Sequence, residues 1–164
     1  MKERTPMADS YELDKEISLD FKLDDIPDLP GYVTFPTGAF LVVLEKGIEE
    51  RVIERDGEET KYFSIEGTLK EILDLEDKNL NEGEEPPKPG DVQSFLFKRN
   101  HALAMGNFKE MVTPIAKALN LSTVGEVIEA SKGLELIWVG VRKGKKKDGE
   151  MQYNFQVKKS ALAT

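Results

Sequence analysis

The sequence predicts a mainly β fold with one helical segment set between its third and fourth strands, on three observations. Strand-like apolar runs recur over residues 38–46, 61–67 and 91–98. Helical spacing then takes over between residues 107 and 130. Two further strand-like runs, 134–141 and 151–157, close the chain around a lysine-rich turn.

The first run, with Phe40, Leu41, Val42, Val43 and Leu44, is nearly all apolar and calls for cover on both faces. Arg55-Asp56-Gly57-Glu58 reads as a turn on its Asp-Gly pair, and 61–67 is the returning strand. Residues 68–75 carry two signals. Thr68 and Glu71 form a capping box, whereas Ile65, Leu69, Leu73 and Leu75 suit one long strand, the reading adopted here. In the third run Val92, Phe95, Leu96 and Phe97 supply bulk. Phe108, Met111, Val112, Ile115, Ala116 and Leu119 then recur at helical spacing, with Pro114 as an expected kink or break. Ser122 or Thr123 caps a shorter helix over 124–130, stopped near Gly133. The last strand is amphipathic, with Met151, Tyr153, Phe155 and Val157 on one face and Gln152, Asn154, Gln156 and Lys158 on the other. Three strands, a helix and two strands is the order of an OB-like five-stranded Greek-key barrel, whose strand four–five loop is one of two that grip oligonucleotides.

The domain boundaries follow composition. Residues 1–31 form an acidic N-terminal arm, with nine Asp/Glu against four Lys/Arg and two prolines at its end. Within it Ile17, Leu19, Phe21 and Leu23 alternate with polar residues, which suits a short strand lying on the body. Residues 32–164 form the barrel domain, with 76–90 an acidic loop insertion closed by Pro86, Pro87 and Pro89.

The net charge of −8 over 164 residues makes indiscriminate nucleic-acid binding unfavourable. The charge is nevertheless polarised. Residues 92–164 carry 12 Lys/Arg against 6 Asp/Glu, and residues 1–91 carry 11 against 25. The cations concentrate at Arg142, Lys143, Lys145, Lys146 and Lys147, a distribution that suits a polyanion. The absence of cysteine rules out disulfides and thiolate metal sites and fits a reducing cytoplasm. No window approaches the ~20 apolar residues of a membrane span, so no membrane contact is expected.

Catalysis is not expected. With His101 the only histidine, a His-based triad or a zinc cluster is hard to assemble. The run Gly140–Lys146 is superficially like a phosphate-binding P-loop, but it has three residues between its glycines instead of four and lacks the Ser/Thr. Asp77, Asn79 and Asn81 imitate half a calcium loop, but Glu82 stands where glycine is needed and Lys88 where a bidentate acid is needed. No cofactor or metal is expected.

Single-stranded nucleic acid requires cations that track phosphates and flat side chains on which bases stack. The candidate cations are Arg142, Lys143, Lys145, Lys146, Lys147, Lys158 and Lys159, with Lys98 and Arg99 at the end of the third strand. The candidate platforms are Trp138, Tyr153, Phe155, Phe97 and Tyr62. Trp138 shares a face with Leu134 and Leu136, and Phe155 with Met151 and Val157, so a core role suits both as well. The acidic arm could lie across such a groove as an autoinhibitory device.

Phe95-Leu96-Phe97, Asn107-Phe108-Lys109, Ile115 to Leu119, Gly133-Leu134-Glu135-Leu136 and a lysine-rich turn leading to Tyr153-Asn154 occur in this order. The pattern resembles small phage-encoded OB-fold proteins of the single-stranded-DNA-binding type, over roughly residues 38–160. The resemblance implies sequence-independent coating of single-stranded DNA in phage replication or recombination, within the cytoplasm of an infected bacterial host. It also implies no cofactor and contact with replication or recombination proteins. Such proteins often end in an acidic tail, whereas this chain ends in Lys158-Lys159-Ser160-Ala161-Leu162-Ala163-Thr164. The alternative expectation is an acidic phage protein-interaction module, either a particle component or an inhibitor of a host nuclease or defence protein. A metal-dependent hydrolase ranks last. The sequence leaves the oligomeric state open, homo-oligomers included.

Overall fold

The computed structural model describes residues 19, 20, 22 and 32–163. Apart from Leu19, Asp20 and Lys22, the strand expected over residues 17–23 lies outside them, as does most of the arm. The described chain is mainly β. Its six strands are β1 Gly38–Leu44, β2 Ile48–Arg55, β3 Glu58–Asp74, β4 Val92–Lys98, β5 Leu134–Lys147 and β6 Glu150–Leu162. Two helices, α1 Ala102–Leu119 and α2 Val124–Ala130, separate β4 from β5.

All strand pairs are antiparallel, and β3 organises the sheet. Thr68 of β3 pairs with both Val43 of β1 and Val92 of β4, so β1 and β4 occupy its opposite edges. Residues 62–65 likewise pair with both β2 and β4. β1 and β2 therefore lie end to end along one edge of β3, as a single long strand interrupted at residues 45–47. The interruption is built on Gly47, whose φ of +68° avoids the Cβ clash an L-residue would meet. A side chain there would also strike Ser131, which accepts the Ile48 N–H at 2.8 Å and thereby ties α2 to the junction. The other edge of β1 pairs with β5, and β5 pairs with β6.

β2 is a strand that the apolar pattern did not single out, because Glu49, Glu50, Arg51, Glu54 and Arg55 hide its alternation. The Asp-Gly hairpin that follows it is as expected: Asp56 and Gly57 both have positive φ, the pairing a two-residue I′ turn demands. The long-strand reading of 68–75 also holds. The Thr68/Glu71 capping signal yields because this stretch pairs with β1.

Two expectations are corrected. α1 begins at Ala102, capped by His101, whose Nδ1 accepts the Ala104 N–H at 3.2 Å. It runs through Pro114 without ending, its buried stripe Phe108, Met111, Val112 and Ile115 holding it to the sheet. The second correction concerns the basic turn. The strands continue to Lys147 and from Glu150, leaving a two-residue Asp148-Gly149 turn. The lysines therefore lie on a strand, not in a loop.

The sheet is not closed into a barrel among the described residues, since no ladder joins β4 to β6. The gap has a physical cause. α1 packs against both strands, and the segment entering β1 lies along the end of β4, with a parallel bridge Tyr32–Val92 and Val33 N–H donating to the Val92 carbonyl at 2.9 Å. Phe35 then enters the core, against Phe40 and Phe155 at 4.7 and 5.6 Å between ring centroids. Trp138 is fully buried at the centre of that core. Its ring occupies the space left by Gly67, where an added Cβ would lie 2.5 Å from two of its carbons.

Candidate nucleic-acid interface

The β5–β6 ribbon outruns the rest of the sheet. The β1 ladder ends at the Gly38–Gly140 pair, whereas β5 and β6 remain paired to Lys147–Glu150. Because paired residues share a face, Lys143, Lys145 and Lys147 line one side of this ribbon opposite Asn154, Gln152 and Glu150. Lys146 lies on the other side, opposite Met151. Strand rise places alternate lysines about 6.7 Å apart, a row of cations fixed by backbone geometry. All four are exposed, and none forms an ion pair with a described residue. Tyr153 is 38% exposed, its ring lying over Gly144 and 5.6 Å from the Arg142 guanidinium.

Lys158 and Lys159 extend the basic surface along β6. Val139 pairs with Lys159 and Gly140 with Val157, so Lys158 is the extra residue of a β-bulge. At the end of β4, Lys98 is exposed. Arg99 is committed elsewhere, pairing with Glu50 at 3.0 Å and covering the Phe63 ring at 4.5 Å.

Four further nominated residues leave the ribbon's exposed surface. Trp138 has no exposed surface and cannot stack on a ligand; Phe97 and Phe155 are buried with it. Arg142 is a structural clamp. Its guanidinium meets both Glu84 carboxylate oxygens at 2.7 and 2.8 Å, and donates to the Phe35 carbonyl at 3.2 Å and to the Thr34 carbonyl. Its side chain is 8% exposed. The Arg142 hydrogen bonds hold the Glu84 carboxyl below the ordinary glutamate range against the opposing effect of burial, helped by the Asn81 N–H. The acidic insertion is thus pinned to the body beside the ribbon. The sequence shows two opposite charges 58 positions apart, which carry no local signal.

A slot opens between the unjoined strands. Its apolar walls are Phe95 and Phe97 from β4, Met111 from α1, and Phe155 and Val157 from β6. Asn107, Glu110, Asn154 and Gln156 are its polar lining, Lys143 and Lys145 contribute the near end of the lysine row, and its volume is ≈ 590 Å³. Asn107, Glu110 and Asn154 were not foreseen, since they come from elements far apart in sequence.

No group of three or more His, Asp or Glu side chains able to hold a metal ion occurs among the described residues, and no helix of the described chain is long and apolar enough to cross a membrane. No family model matches the chain, and a search of curated proteins found no match to its sequence.

Proposed function

We propose that this chain binds single-stranded DNA without catalysis, using an OB-like barrel left open on one side. The observation that carries the reading is the row of exposed, unpaired lysines on a ribbon that outruns the sheet, in a protein of net charge −8. A solvated surface gains nothing from such concentration, whereas a phosphate backbone does. Tyr153 supplies an exposed ring on the opposite face of the ribbon, the face that carries Lys146. The strand order, with β1 and β2 acting as one long broken strand, supports the OB-like reading. Together with the resemblance to phage proteins of this type, it supports a role in replication or recombination, within the cytoplasm of an infected bacterium.

The test is a salt titration of a labelled ~30-nucleotide strand by fluorescence anisotropy, with the matching duplex as control. Single strands lose affinity with a slope near −0.7 per phosphate neutralised. Changing Lys143, Lys145 and Lys147 together to Ala flattens that slope by about 2. An unchanged slope, or equal binding to the duplex, defeats the proposal.

A further inference from the structure

We propose that the slot between β4, α1 and β6 seats one unstacked base and favours bases carrying an exocyclic amine over thymine. This rests on the single-strand reading above and refines it, since sequence-independent coating alone predicts no such preference.

The argument begins from the open side of the sheet. Because β4 and β6 do not pair, their edges bound a cavity that reaches the aromatic core. Phe95 and Phe97 lie nearly parallel there, 19° apart with centroids at 6.0 Å, and Phe95 is only half-buried. At ≈ 590 Å³ the cavity exceeds what one base needs, and Phe95, the accessible ring of its wall, suits the face of a flat ring. Its lining suits the ring's edge. Asn107 and Asn154 carry amides that donate and accept, and Glu110 carries an acceptor-only carboxylate.

Glu110 decides the preference. A carboxylate beside a phosphate track is repulsive unless it meets a donor. The amino groups of cytosine, adenine and guanine are such donors, and pairing of a carboxylate with the cytosine amine is an established contact. Thymine presents its O4 where cytosine presents its amine, acceptor against acceptor, and its one ring donor, N3–H, is flanked by two carbonyl oxygens that repel the Glu110 carboxylate. Lys143 and Lys145 line the same cavity and belong to the row that tracks the backbone, so a strand held by the ribbon can turn a base inward without leaving its phosphate contacts.

The experiment compares 30-nucleotide dC and dT strands at pH 8, two pyrimidine strands that differ at the edge the slot reads. A carboxylate–amine contact of this kind discriminates by about tenfold, so dC binds about ten times more tightly than dT. Glu110→Ala brings the ratio to about one. Lys147→Ala, at the far end of the ribbon, weakens binding to both strands and keeps the ratio. Equal, salt-sensitive binding of the two strands by the unaltered protein overturns the slot proposal alone, as does a ratio that survives Glu110→Ala. Absence of binding to either strand at low salt overturns the single-strand reading, and the slot proposal with it.

Discussion

Replacing Arg142 with Ala tests whether this arginine holds the fold together. Its guanidinium satisfies the Thr34 and Phe35 carbonyls and both oxygens of Glu84, at 8% side-chain exposure. Truncation leaves two backbone carbonyls without that donor, at about 1–2 kcal/mol each. It also strands a carboxylate whose side chain is only 27% exposed. Removal of one partner from a buried pair costs about 3–5 kcal/mol, and the partial exposure of Glu84 sets the expectation at the lower end, about 3 kcal/mol. For a chain of this size that corresponds to a fall in Tm of about 6–12 °C. Lys143→Ala, one residue further along the same strand but exposed and unpaired, changes stability by less than about 0.5 kcal/mol. The assay is urea unfolding followed by the fluorescence of Trp138, the only tryptophan and a buried one. An Arg142→Ala midpoint that matches Lys143→Ala at equal m-value would refute the clamp.

Two further outcomes are expected. The depressed Glu84 carboxyl contributes stability that is fully present above its unfolded value, near ~4.3, and is lost as pH falls through its lower folded value. The Tm difference between the unaltered protein and Glu84→Gln is therefore constant above about pH 5 and shrinks in acid, and a pH-independent difference would remove Glu84 from the argument. Gly67→Ala sets a gain in strand propensity of at most about 1 kcal/mol against overpacking of about 1–3 kcal/mol, because its Cβ falls 2.5 Å from the Trp138 ring. The net effect is a destabilisation of about 1–2 kcal/mol that Trp138→Phe in the same chain partly relieves, as a double-mutant cycle in urea would show; a neutral Gly67→Ala refutes the packing.

What the sequence determined by itself was what local chemistry determines. Asp56-Gly57 specified its turn because only residues tolerant of positive φ fit there, and Ser122 or Thr123 marked a helix start, which the structure assigns to Thr123 through reciprocal capping with Glu126. The apolar runs of β1, β4 and β5 were legible because buried strands need continuous bulk. β2 was not, because five of its eight residues are charged and it is held by pairing with β3. The length of the lysine ribbon depended on backbone pairing across it, which composition does not encode. Trp138 and Arg142 resembled ligand contacts in sequence, yet tertiary structure buried one against Gly67 and locked the other to Glu84. The slot lay furthest from view. It exists because a helix and the segment around Phe35 stand where two strands would otherwise have paired, a competition settled only when residues more than a hundred positions apart meet.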